Sequence, residues 1–165
     1  MNPSLILHVE DSPDDRLFLR RAFEQAGIQN TILALEDGQK AIDYLSSTKS
    51  NDSGKQLAMP CMVILDLKMP KVHGLDVLKW IRAHEEFKSI IVIILSSSPL
   101  RNDVDTAYKI GSNSFLVKPL TGEQMKNIAR LIKEYWLEHN EFPSLAGMQE
   151  PLKKLGIKPP PPFNG

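Results

Sequence analysis

Five apolar runs punctuate the chain: SLILHVE (4–10), TILALE (31–36), CMVILD (61–66), IIVIILS (90–96) and NSFLVK (113–118). Three are nearly continuous Ile, Leu and Val, the pattern of strands covered on both faces. The segments between them carry a helical repeat. Leu17, Phe18, Ala22 and Phe23 share a face of the first helix, and Leu75, Leu78 and Ile81 do so in the third. Val104, Ala107 and Tyr108 serve a short fourth helix, and Met125, Ile128 and Ile132 the last. Ser12-Pro13-Asp14-Asp15 marks a helix start with an N-cap serine, a proline at the first helical position and acids in the first turn. Thr121 to Gln124 has capping-box spacing, and Gly27 stands where a helix ends in a left-handed residue.

Strands alternating with helices predict right-handed crossovers and a doubly wound α/β domain, with a parallel five-stranded sheet between two helical layers. The domain is expected over residues 1–139, its regular rhythm beginning near residue 4. Two segments fall outside that rhythm. Residues 46–60 form a polar loop longer than most such connections. Residues 140–165 hold six of the twelve prolines, end in PPPPFNG, and read as an extended or disordered tail with polyproline II character.

The 165 residues suit one domain with a modest extension. Twenty basic and twenty acidic residues give a net charge of zero, so nothing pulls the whole chain toward nucleic acid or an anionic membrane. A single cysteine, Cys61, excludes an intrachain disulfide and reads as a small buried hydrophobe. No stretch approaches the roughly 20 apolar residues of a membrane span, and the N-terminal run is too short for a signal peptide. The expectation is a cytoplasmic protein.

Ligands of open parallel sheets bind beyond the carboxyl ends of the strands. Here those ends carry Glu10 and Asp11 on the first strand, Asp66 on the third, Ser96 to Ser98 on the fourth, and Lys118 with Pro119 on the fifth. Singly, each has an ordinary reading as a helix cap, a loop serine or a solvated lysine. Together they bring three carboxylates, hydroxyls and an ammonium to one edge. Close carboxylates repel, and a hard divalent cation such as Mg²⁺ relieves that repulsion with oxygen ligands. The absence of His or Cys among these acids argues against zinc; His8 and His73 are read as non-ligands. An aspartate, a metal ion, a lysine and a hydroxyl are the parts of a phosphoryl transfer that forms an acyl phosphate.

In order and spacing, HVEDSPDD, VILDLKMPKVHG, IILSSS and FLVKPL resemble the four signatures of the response-regulator receiver domain of two-component signalling. The Asp-x-x-x-Pro and Lys-Pro signatures at these intervals are specific together. The resemblance covers residues 4 to 139 and implies the flavodoxin-like (βα)5 fold with strand order 2-1-3-4-5. It implies Asp66 as phosphoacceptor and a Mg²⁺ site of Glu10 (through water), Asp11, Asp66 and the Lys68 backbone carbonyl. Ser96 matches the switch hydroxyl and Lys118 the family lysine. Pro70 and Gly74 match the loop after the phosphorylation site, and Pro119 the residue after a cis peptide bond. Phe115 stands where many receivers have tyrosine, so the switch is expected to use an aromatic ring without a phenol. Ser97 stands where alanine is frequent, which bears on the lifetime of the phosphate.

The loop at 46–60 and the helix end Glu134-Tyr135-Trp136-Leu137-Glu138 look like small stand-alone receivers that partner phytochrome-type histidine kinases. The implied protein is a phosphoacceptor rather than an enzyme, acting through protein contacts, with no DNA-binding or membrane segment. A homodimer through the face of the fourth helix, fifth strand and fifth helix is a further implication, to which Tyr135 and Trp136 would contribute if exposed. Two alternatives stand beside it. One is a phosphorylation-independent receiver scaffold. The other is a flavodoxin-like binder of FMN or another phosphorylated small molecule, which the acidic loop EDSPDD disfavours.

Overall fold

In the computed structural model, which describes residues 4–49 and 57–143, each apolar run becomes a strand. The order is β1 (Leu5–Val9), α1 (Pro13–Gln25), β2 (Ile32–Leu35), α2 (Gly38–Ser47), β3 (Pro60–Leu65), α3 (Gly74–Ala83), β4 (Ile91–Ser96), α4 (Arg101–Ile110), β5 (Ser114–Val117) and α5 (Gly122–Leu131). A π-helical stretch, Ile132–His139, continues α5. All strand pairs are parallel, in the order β2-β1-β3-β4-β5. The expected doubly wound sheet is present.

The alternation of side chains divides the sheet between two cores. Val63 and Leu65 of β3 and Val92 and Ile94 of β4 pack with Leu45, Val77, Leu78, Ile81 and Phe87 on the α2–α3–α4 side. Met62 and Ile64, with Ile93 and Leu95, meet Leu19, Phe23, Met125, Ala129 and Ile132 on the α1–α5 side. Leu5 pairs with Pro60 but Ile6 with Met62, so Cys61 is one residue extra in β3. It is buried in the second core, where burial raises its thiol pKa. The reading of Cys61 as a packed hydrophobe holds.

Caps form where the side chains permit. Ser12 Oγ accepts from Asp15 N, and Thr121 Oγ1 from Gln124 N. Gly27 takes φ +71° just past α1, in the left-handed region that glycine enters without a Cβ penalty. The long loop starts later than expected, because Ser46 and Ser47 complete α2. Most of that loop, and the tail from residue 144 onward, lie outside the described residues.

Two helical faces differ from expectation. Leu17 is 45% exposed, and Leu19 joins Ala22 and Phe23 in the core instead. At 3.6 residues per turn, Leu17 lies about 200° from Leu19, on the opposite side of the helix. On α4 only Ala107 is fully buried, while Tyr108 lies half exposed with its hydroxyl accepting from Phe115 N. β5 is an edge strand whose outward N–H groups have no partner strand, and the tyrosine satisfies one of them. At the end of the last helix Trp136 packs against the second core while Tyr135 remains 60% exposed.

Gly74 sets the loop after β3. Its N–H donates to Leu67 O, and a Cβ added there would sit 2.1 Å from Asp66 O. Backbone cannot retreat from such a contact without moving Asp66. Gly74→Ala is expected to lower the unfolding free energy by about 2–3 kcal/mol in urea titrations. Gly122→Ala, whose Cβ would meet only Phe18 Cε2 at 3.7 Å, should stay within about 0.5 kcal/mol of the parent.

Candidate functional site

The site is assembled by the loops at the carboxyl ends of β1, β3, β4 and β5. Glu10 and Asp66 follow adjacent strands, and Asp66 N donates to Val9 O, so the ladder itself sets their spacing. One carboxylate oxygen from each of Glu10, Asp11 and Asp66 lies within 4.8 Å of the others. Glu10 is 1% and Asp66 4% exposed, while Asp11 is open to solvent. Burial on this scale is tolerated only with a compensating charge or hydrogen bonds.

Lys118 supplies the charge. Its Nζ stands 2.6 Å from Glu10 Oε2, 2.8 Å from Asp15 Oδ2 and 3.3 Å from Asp66 Oδ2. Leu67 N donates to Asp66 Oδ1, which orients that carboxylate and leaves Oδ2 toward the ammonium. Glu10 Oε1 accepts from Ser12 N, whereas buried Oε2 meets the ammonium as an ion pair without an aligned hydrogen bond. Arg16 clamps the acidic loop, donating from one guanidinium nitrogen to the carbonyls of Glu10 and Asp11.

The electrostatics follow from this packing. Burial raises the Glu10 carboxyl above its ordinary range, and the neighbouring ammonium only partly offsets it. For Lys118, burial alone would lower the pKa, but close contacts with the carboxylates of Asp15, Glu10 and Asp66 outweigh it and hold the ammonium above its usual value. Lys118 is therefore a fixed cation. An acidic oxygen cluster, one member of which is a buried oxygen lacking an aligned donor, suits a hard divalent cation, and no sulfur or imidazole joins it.

The remaining residues of the expected set surround this centre. Ser96 is fully buried at the end of β4, its carbonyl accepting from Lys118 N and its Oγ from Ser98 N. Ser97 and the Lys68 side chain are exposed. Phe115 lies half-buried against the first core. The peptide bond before Pro119 is trans, as are all those of the described residues. The cis bond implied by resemblance is thus not found; trans is the form that bonds to proline favour by about 0.5–1 kcal/mol. His73 caps α3, its Nδ1 accepting from Leu75 N, and His8 is buried inside β1.

Two participants were not singled out by sequence reasoning. Asp15 stood out only as an acid in a helical first turn, and its partner lies 103 residues away. Arg16 gave no signal at all, since its acceptors are backbone carbonyls.

The fold and this acidic, lysine-paired edge are those of a signalling receiver domain. The response regulator receiver domain matches residues 6–130, and the chain belongs to that family. Among its relatives, "Probable methanogenesis regulatory protein FilR2" of Methanothrix harundinacea (strain 6Ac) is 40% identical, over 88% of this chain and 91% of its own. The Mn²⁺-bound form of response regulator Rcp1 superposes with a TM-score of 0.76 at 28% identity, covering 86% of this chain and 100% of that one; a relative of that name comes from Synechocystis sp. (strain ATCC 27184 / PCC 6803 / Kazusa). The phosphorylated cyanobacterial phytochrome response regulator RcpA is equally similar, with a TM-score of 0.76, 28% identity, and coverage of 86% and 99%. Receiver domains of this family bind Mg²⁺ in an acidic pocket, and an acidic cluster of Glu10, Asp11 and Asp66 is present here. Among the described residues no helix is long and apolar enough to cross a membrane.

His8 gives the site a pH signature. Burial, then the charges of Lys118 and Arg16, push its pKa from 6.5 to about 3. Between those values the unfolded chain holds a proton at His8 that the folded protein refuses. Its contribution to stability is complete above pH 6.5 and is lost as pH falls toward 3. Glu10, with its raised pKa, acts in the opposite sense. Comparison with His8→Leu isolates the histidine: from pH 7.5 to 5.5 the parent should lose about 1.4 kcal/mol more unfolding free energy than the variant. Parallel pH profiles in urea unfolding would contradict this assignment.

Proposed function

We propose that this protein is a single-domain response regulator that accepts a phosphoryl group on Asp66 from a phosphohistidine of a partner histidine kinase. The observation that carries the reading is the meeting of the Lys118 ammonium with Asp66 and Glu10 at the edge where three carboxylate oxygens cluster. An Asp66 oxygen attacks phosphorus. The P–N bond breaks, its electron pair leaves with the imidazole, which takes up a proton, and an acyl phosphate remains. Mg²⁺ held by Glu10, Asp11, Asp66 and the Lys68 carbonyl would supply charge neutralisation for the phosphoryl oxygens. Lys118 pairs with one phosphoryl oxygen and the Ser96 hydroxyl donates to another. Hydrolysis, by water attacking phosphorus, returns the Asp66 carboxylate and inorganic phosphate; exposed Ser97 stands where it would affect water access.

Output is by protein contact. In the unphosphorylated site Ser96 Oγ accepts from Ser98 N, and Ser98 Oγ donates to Asp103 in the first turn of α4 at 2.7 Å. Drawing Ser96 toward the phosphoryl group removes the acceptor of Ser98 N and thereby loads α4. Movement of half-buried Phe115 alters the same face of α4, β5 and α5, where Tyr108 and Val117 are half exposed. That is a two-state surface biased by a local charge, and it is the face through which a homodimer would form. Likeness to Rcp1 and the phytochrome regulator RcpA supports a phytochrome-type kinase as donor. FilR2 is named for the regulation of methanogenesis, so the sensory input is the part on which relatives diverge.

With Mg²⁺ and a small acyl phosphodonor, the parent should incorporate label at one site, and that label should be labile to acid and to base. Asp66→Asn should reduce incorporation to background, and chelation should do the same to the parent. Undiminished labelling of Asp66→Asn would refute the assignment.

A further inference from the structure

Asp15 occupies the third position of α1, where an acid ordinarily turns back to accept the N–H of the N-cap residue. Here Ser12 N is taken by Glu10 Oε1, so the Asp15 carboxylate reaches across to Lys118. Of the ammonium's three anionic neighbours, Asp15 makes an aligned hydrogen bond, Glu10 an ion pair without one, and Asp66 the longest contact. The three differ in what release would cost. Glu10 and Asp66 are almost wholly buried, whereas the Asp15 side chain is 42% exposed and is rehydrated readily.

We propose that Asp15 is a positioning residue: a latch that draws the Lys118 ammonium toward α1 while Asp66 is unmodified and yields it to an anionic phosphoryl group. The inference rests on the phosphoacceptor reading of Asp66. A phosphoryl group on Asp66 presents more charge to the ammonium than one carboxylate does, and the partner that gives way is the one water can replace. Asp15 therefore opposes the phosphorylated form, and its removal favours it. A merely structural Asp15 would act the other way, since loosening the site weakens anion binding.

Beryllofluoride with Mg²⁺ serves as the phosphoryl probe, titrated by calorimetry against the full chain. Asp15→Asn should lower the half-saturating concentration by about threefold to tenfold, with Asp15→Glu closer to the parent. Asp14→Asn removes the same charge from a neighbour that does not pair with Lys118 and should change the midpoint less than twofold. In the metal-free protein, the Lys118 ammonium resonance in nitrogen-15 NMR should shift and exchange faster in Asp15→Asn. An unchanged or weaker midpoint in Asp15→Asn, or an equal gain in Asp14→Asn, overturns the latch. If the parent itself fails to bind beryllofluoride, the phosphoacceptor reading fails first and the latch with it.

Discussion

One ammonium group set among carboxylates governs the carboxyl edge of the sheet. Glu10 and Asp66 are too deeply placed to remain charged without a counter-ion, and Lys118 answers both while reaching Asp15 as well. Charge there is only partly balanced, since Asp11 adds a further carboxylate to the cluster. A site left in deficit of positive charge attracts a cation, and once it holds one it can accept an anion.

The sheet makes that imbalance sustainable. β1, β3 and β4 are buried along their whole length, and their residues interdigitate with two helical layers. The close approach of Gly74 to the Asp66 carbonyl and the Leu67 N–H on Asp66 Oδ1 remove what freedom the loop has left. The other side of the molecule is looser. β5 is a partly exposed edge strand and α4 contributes one fully buried residue. A rigid, charged centre thus borders a weakly packed face, the arrangement in which a small charge event would have somewhere to be read out.

Much of this could be read along the chain. The apolar runs at 61–65 and 90–95 specify central strands because no polar residue interrupts them, and Ser12-Pro13 and Thr121 announce their helices through cap chemistry that needs only neighbours. Leu17 shows the limit. Apolar residues mark a helix without saying which of two candidate faces is buried, and the core chose the stripe of Leu19, Ala22 and Phe23. Tyr108 shows another: a large apolar ring was expected inside, but an unpaired edge-strand N–H was a better use of its hydroxyl.

By itself the sequence determined the strands, their alternation with helices, and which acids and lysine fall at strand ends, because these depend on period and spacing. What the tertiary structure alone decided is which charges meet. Asp15 belongs to a helical first turn by every local rule, yet its carboxylate is claimed by Lys118 from the far end of the domain because Glu10 has already taken the N-cap N–H. Arg16 likewise binds two carbonyls that no motif could mark. Local patterns place side chains on elements; only the parallel order of β2-β1-β3-β4-β5 brings residues 10, 15, 66 and 118 within reach of one another, since Coulomb interactions depend on distance in space rather than along the chain.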